Sequence, residues 1–159
     1  MTLKLLGAAC VALAAGSTLR TIFLQRRREE ELLQHMAAAL DTMAREIRWK
    51  HSRIPDILAT LERDVIVGTY FKNIREKMNR KMPLQFAWDN TFSALPIIEG
   101  VMLNIDLNGD GTQMETSLTQ GAASLRQLLQ ERKMQRPEQT KLCTAAALSI
   151  AGGLILLLL

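Results

Sequence analysis

Aromatic residues are scarce in this chain: four Phe, two Trp and one Tyr make up 4% of its 159 residues. Cysteine is scarcer, and two of them exclude both a disulfide scaffold and a four-cysteine zinc site. The two histidines, His35 and His51, lie 16 residues apart on one predicted helix. That is about 24 Å of rise, too far to share an ion. No glycine-rich phosphate loop, nucleophile elbow or metalloprotease helix motif is present. Carboxylates are scattered, with no histidine at a useful spacing. No catalytic, cofactor-binding or metal-ligating residue is therefore assigned, no cofactor or small-molecule substrate is expected, and the chain reads as a non-enzyme.

Apolar residues are plentiful at 48%, with charged residues at 23%, which is too apolar for a disordered chain. The net charge of +4 does not by itself imply a nucleic-acid partner, and none is expected. The apolar residues crowd the two ends. Between Lys4 and Arg20 lie 15 uncharged residues, and Thr21-Ile22-Phe23-Leu24 extends the run. A helix crossing the hydrocarbon needs about 20 residues, so this segment spans if Arg20 snorkels to the interface. Residues 142–159 form 18 uncharged positions closing in Leu154-Ile155-Leu156-Leu157-Leu158-Leu159. Arg20, Arg26, Arg27 and Arg28 follow the first run, and Arg132, Lys133, Arg136 and Lys141 precede the second. Both flanks predict a hairpin with the middle on the cytoplasmic side.

A cleaved signal peptide is the rival for the first run, with Ala12-Leu13-Ala14 as its small-x-small site. The arginines directly after it oppose export. A lipoprotein reading at Cys10 is weaker, because Gly7 stands where an aliphatic residue is wanted. Cys10 and Cys143 fall at different depths of the hairpin and are not expected to pair. Ala8, Ala12 and Gly16, and likewise Ala145, Ser149 and Gly153, recur every fourth residue. Such stripes let helices approach closely, within one chain or between copies. A homo-oligomer is compatible with them.

The middle, 25–141, reads as one compact all-α domain of six helices, giving a bundle flanked by transmembrane helices at 1–24 and 142–159. Leu33, Ala37, Leu40, Ala44 and Ile47 step by four and three, and Leu32, Met36 and Met43 widen the stripe. No breaker separates this helix from the first apolar run. Pro55 suits the first turn of a second helix with Ile57, Leu58, Leu61 and Val65 inward, which Gly68 is expected to end. Thr69 caps a third, with Tyr70, Phe71, Ile74 and Met78 on one side. Pro83 opens a fourth (Leu84, Trp88, Thr91 or Phe92, Leu95) and Pro96 a fifth (Ile97, Ile98, Val101, Met102, Ile105). The sixth carries Met114, Leu118, Ala122, Leu125 and Leu129 and ends near Pro137. The eight methionines are expected mainly as adaptable core filler.

Asp106-Leu107-Asn108-Gly109-Asp110-Gly111 imitates the start of a calcium loop. The twelfth position is Ser117, and Glu115 comes two places early. An Asx/Gly turn before a helix is therefore expected. Charge is segregated along the middle. Residues 45–53 hold Arg45, Arg48, Lys50 and Arg53 against one acid, and 72–81 hold Lys72, Arg75, Lys77, Arg80 and Lys81 against one. Residues 82–125 contain no Lys or Arg, only Asp89, Glu99, Asp106, Asp110 and Glu115. The bases are a candidate patch for anionic lipid and the acids a candidate partner face. The alternative is mutual neutralisation of the third and fourth helices. A peripheral lipid or nucleic-acid binder remains the rival function. A pore former would need a polar stripe that neither apolar run supplies.

Several stretches fit one family in order and spacing. They are Leu3-Lys4-Leu5-Leu6-Gly7-Ala8; Arg27, Glu31-Leu32, Leu40 and Met43; Glu46-Ile47-Arg48-Trp49, where an aromatic, often Tyr, is usual; and Ser52 with Ile54-Pro55-Asp56-Ile57-Leu58. Ala87-Trp88, the turn at 107–113 and Gly152-Gly153-Leu154-Ile155-Leu156-Leu157-Leu158 complete the set. The turn departs from the family's Leu-Gly-x-x-Asp pattern. Together they resemble stage III sporulation protein AB of endospore-forming bacteria, nearly end to end. The resemblance implies a relation to the F-type platform protein of type II secretion and type IV pilus machines. It further implies a six-helix domain on the mother-cell side of the outer forespore membrane, in the channel complex between mother cell and forespore. An AA-type secretion ATPase and other membrane components are the implied partners. No catalytic residue is implied.

Overall fold

The computed structural model describes residues 2–50 and 52–134. Six α-helices are present among them and no strand, as the helical periodicity requires. They are α1 (Thr2–Arg45), α2 (Ile54–Leu61), α3 (Gly68–Asn79), α4 (Leu84–Phe92), α5 (Glu99–Met102) and α6 (Gly111–Met134). A π-helical turn, Glu46–Lys50, continues α1. Glu29–Gln130 forms one compact unit.

The core of Glu29–Gln130 is the predicted one. Leu33, Met36, Leu40 and Met43 of α1 are fully buried, with Ala37, Ala44 and Ile47 nearly so. Against them pack Ile57 and Leu58 of α2, Phe71 and Ile74 of α3, Trp88 and Phe92 of α4, and Leu118, Ala122 and Leu125 of α6. The few aromatics concentrate here. Trp88 and Phe92 stand edge-to-face at 4.7 Å between centroids, with Phe71 6.3 Å from Trp88. The Trp88 Nε1–H donates to the Met102 carbonyl at 2.9 Å, so the buried indole leaves no polar atom unmatched. Met36, Met43 and Met102 are core filler as expected, whereas Met134 is exposed.

Helix ends follow local chemistry. Pro55 sits in the first turn of α2, and Pro83 is the N-cap of α4. Asp110 precedes α6, where its Oδ1 accepts the Gln113 N–H at 2.8 Å and its carbonyl accepts that of Met114. At the end of α3 the Met82 N–H donates to the Lys77 carbonyl and that of Lys81 to Met78. This is a Schellman closure whose left-handed position, φ +65°, is filled by Lys81 instead of glycine.

Three expectations need correction. First, α2 stops at Leu61, so Val65 is 96% exposed and Val67 fills the core instead. Second, Gly68 opens α3 and does not close α2. A Cβ there would lie 2.3 Å from the Glu62 carbonyl oxygen, and that close approach of backbones is why glycine occupies the site. Third, the fifth helix is a single turn, Glu99–Met102, with residues 96–98 in a turn before it.

The two apolar ends stand apart from these corrections. Among the described residues no helix is long and apolar enough to cross a membrane. The fold therefore supports the all-α half of the expectation and not the flanking transmembrane helices. Residues 142–159, with Cys143, Ala145, Ser149 and Gly153, lie outside the described residues, and so does Pro137. Residues 2–24 belong to α1, which runs unbroken into the arginines at 26–28. The side chains of Ala8, Cys10, Ala12 and Gly16 lie outside the described ones.

Candidate functional site

The predicted acids fall at two hollows, at two helix starts and, for Glu115, past the first turn of α6. Asp89 lies on α4 with its Oδ1 accepting from Gln85 Nε2 at 2.8 Å. It lines a hollow of about 330 Å³ together with Phe86, Asn90, Ser93 and Leu103. Asp106 borders a second hollow of about 410 Å³, lined also by Thr112, Gln113, Thr116 and Ser117. Glu99 lies in the first turn of α5. Glu115, in α6, accepts from Arg48 Nη1 at 3.1 Å. The two hollows share no lining residue, so the structure does not gather all five acids into one pocket.

The calcium-like turn resolves into backbone capping. Asp106 Oδ1 accepts the Asn108 N–H at 2.9 Å, and Asp110 Oδ1 is spent on α6. This is the Asx turn before a helix that the sequence favoured. Among the described residues no three His, Cys, Asp or Glu side chains come together as a metal ligand set.

The nine predicted bases divide by partner. Arg75 of α3 meets Glu62 through Nη2 to Oε2 at 2.7 Å. Its Nε lies 2.5 Å from Oε1, a close charge contact and not an aligned hydrogen bond. Lys77 donates to Asn90 Oδ1 and Thr91 Oγ1 of α4, stitching two helices through neutral acceptors. Lys50 reaches Glu46 at 2.6 Å within the π-turn. Its ammonium and the Ser52 hydroxyl hold the Glu46 carboxyl below its ordinary range. Arg48 pairs with Glu115, so the basic and acidic stretches interlock at that point. Arg45 bonds the Thr42 hydroxyl. Arg45, Arg53, Lys72, Arg80 and Lys81 are exposed, and among the described residues none of them has a carboxylate partner. The third and fourth helices do not neutralise one another by ion pairs among the described residues. Their link is Lys77.

Three arrangements escaped sequence reading. His35 Nδ1 lies 2.9 Å from Asp64 Oδ2, joining α1 to the α2–α3 junction across 29 residues. The carboxylates have no histidine at a useful sequence spacing, but the fold supplies one to Asp64 from 29 residues away. Asp64 Oδ1 also accepts the Ile66 and Val67 N–H groups at 2.8 and 3.0 Å. Burial pushes this carboxyl up, but the His35 bond and the two amides outweigh it and hold it below its ordinary range. Gln85 is the second: its Nε2 donates to the Ile105 carbonyl and its Oε1 accepts the Leu107 N–H. The third is the π-turn itself, which leaves Trp49 73% exposed under the Arg48 guanidinium, 5.2 Å from the ring centroid. Only Asp64 carried a local signal, a short acid two and three residues before free amides.

The order of these elements from α1 to the end of α4 can be set against known families. The family model described as stage III sporulation protein AB (spore_III_AB) matches residues 4–96. The chain belongs to that family. It is thus a sporulation-related protein. The match covers α1 to α4 and stops at Pro96, so the 107–113 turn and the closing apolar run, which carry part of the resemblance, lie beyond it. No curated protein and no solved structure matches the chain.

Proposed function

We propose that the chain is a non-enzymatic membrane platform of the sporulation channel complex between mother cell and forespore. In this reading 1–24 and 142–159 cross the bilayer, and the helical middle lies on the mother-cell cytoplasmic side, in the outer forespore membrane. There it couples an AA-type secretion ATPase to membrane partners. The observation that carries the reading is the family match over residues 4–96. The charge of the apolar flanks supports the topology. The all-helical body, whose functional residues face outward as surfaces, supports a scaffold.

The motor-facing surface is assigned to the acids, above all Asp106, Asp110 and Glu99, with Asp89 and Glu115 beside them. Reversing Glu99 and Asp106 to Lys tests it without touching the Asp110 cap or the Arg48 pair. Recovery of the ATPase with the folded double variant should fall by about tenfold. Unchanged recovery would count against the assignment. For the topology, the exposed Ala94 offers a reporter position in the helical body. A membrane-impermeant thiol reagent applied to intact cells should leave an Ala94→Cys variant unlabelled. Labelling would end the motor-coupling reading.

The exposed Lys72, Arg80 and Lys81, without a carboxylate partner among the described residues, favour a second reading, a peripheral module for anionic lipid or nucleic acid. Salt-dependent binding of the protein to DNA or anionic vesicles would support it.

A further inference from the structure

Two exposed features of the helical body have no structural role. One is Trp49, 73% exposed on the π-turn and stacked under Arg48. Arg45 and Arg53 flank it in sequence, both exposed and without a carboxylate partner among the described residues. The other is the hollow between α4 and Leu103, where Phe86 is 57% and Leu103 38% exposed. Asp89 sits in its lining, with one oxygen held by Gln85 and the other without a partner among the described residues. Asn90 and Ser93 complete it. No Lys or Arg occurs from residue 82 to 125, so no cation of this stretch offsets Asp89.

The two features are complements. A large apolar ring inside a cationic sequence answers an apolar hollow with an acidic wall. Trp and Arg are the side chains that most often anchor protein interfaces. An anionic membrane would take the Trp49 surface but would be repelled by the hollow. A basic peptide would take the hollow but not the Trp49 surface. A second copy of this chain takes both.

We propose that Trp49 of one copy docks in the Phe86–Leu103 hollow of another, with Arg45 and Arg53 drawn toward Asp89. Plug and socket are different surfaces, so the contact is head-to-tail. Such contacts run on into a closed ring or an open row, and do not stop at a two-fold dimer. The proposal stands apart from the platform reading. It uses Asp89 alone of the five acids, and the motor-recovery experiment on Glu99 and Asp106 can fail while this contact holds.

The test uses the full-length protein in its membrane, with Cys10 and Cys143 replaced by Ser. Lys50→Cys and Asn90→Cys in the same chain should give a ladder of disulfide-linked dimers, trimers and larger species on mild oxidation. Trp49→Ala, or separately Phe86→Ala, should reduce the linked fraction by about tenfold, as for loss of a buried aromatic anchor. Both sites are exposed, and circular dichroism checks that each variant folds. The decisive arm mixes two chains. A Trp49→Ala copy carrying Asn90→Cys keeps its socket, and a Phe86→Ala copy carrying Lys50→Cys keeps its plug. Co-expressed, they should link one to one and go no further. Absence of the Lys50→Cys to Asn90→Cys adduct overturns the proposal. So does a ladder that Trp49→Ala leaves intact, or a main product joining two Lys50→Cys sites.

Discussion

At the junction between α2 and α3, a carboxylate holds the chain. Between α5 and α6, a neutral amide does. Asp64 gathers the His35 ring and the amides of Ile66 and Val67, while Gln85 gathers the Ile105 carbonyl and the Leu107 amide. Each satisfies backbone groups that no helix ladder reaches. The two junctions differ in two further respects. The first is tight, because Gly68 rests on the Glu62 backbone. In the second, a Cβ on Gly109 would meet only the side chain of exposed Gln113. The first is anchored by a carboxylate, Asp64, and the second by an amide that itself leans on one, since Gln85 Nε2 also donates to Asp89 Oδ1. Charge thus touches the backbone directly at one junction and stands one side chain removed at the other.

The largest effect is expected from Gly68→Ala. The added methyl meets rigid backbone at 2.3 Å, and the helical body should lose about 3 kcal/mol or more in urea unfolding followed by circular dichroism. Gly100→Ala is its control. Nothing lies within 4 Å of that site, and the change should stabilise the single turn of α5 by about 0.5–1 kcal/mol. If the two variants unfold alike, the tightness of the first junction is not what fixes its glycine.

Gln85→Ala should come next, at about 1–3 kcal/mol, because it strands a part-buried carbonyl and amide. Asp64→Asn sharpens the contrast. The carboxyl is held below its ordinary range in the folded protein, so its stabilisation is present above the ordinary carboxylate range and is lost as pH falls through the folded value. The variant should cost about 1 kcal/mol at pH 7 and progressively less toward pH 2, and its own stability should vary less with acid. An Asp64→Asn penalty that does not shrink in acid would show that the carboxylate's charge is not what holds the first junction.

The smallest effect is a gain. Lys81→Gly relieves a side chain held at φ +65° and should stabilise the end of α3 by about 1 kcal/mol. This end depends on neither anchor, so the gain should persist in both junction variants.

What could be read beforehand followed the range of the physics. The seam Leu33, Leu40 and Ile47 was legible because helical burial repeats every three to four residues. Pro55 and Pro83 marked helix starts because a fixed φ and a missing N–H act locally. Gly68 misled because the same residue serves helix ends and close backbone approaches, and only the folded chain says which. Val65 misled because α2 stops at Leu61, and Asp64, holding the amides of Ile66 and Val67, turns the chain so that Val67 and not Val65 faces the core. The His35–Asp64 and Gln85–Ile105 links join residues 29 and 20 apart, and nothing in a local window pairs them. At the candidate surfaces, the sequence located the charges but not their partners. Arg48 with Glu115 and Arg75 with Glu62 withdrew members of each group that sequence alone left free.

The chain has two indoles and places them at opposite extremes, Trp88 sealed in the core and Trp49 in water. Its intrinsic fluorescence therefore divides into a short-wavelength part that a dissolved quencher does not reach and a long-wavelength part that it does. The emission of a Trp49→Phe protein shifts with folding, and that of a Trp88→Phe protein shifts with what covers its surface. The molecule carries separate optical readouts of integrity and of docking without any added label.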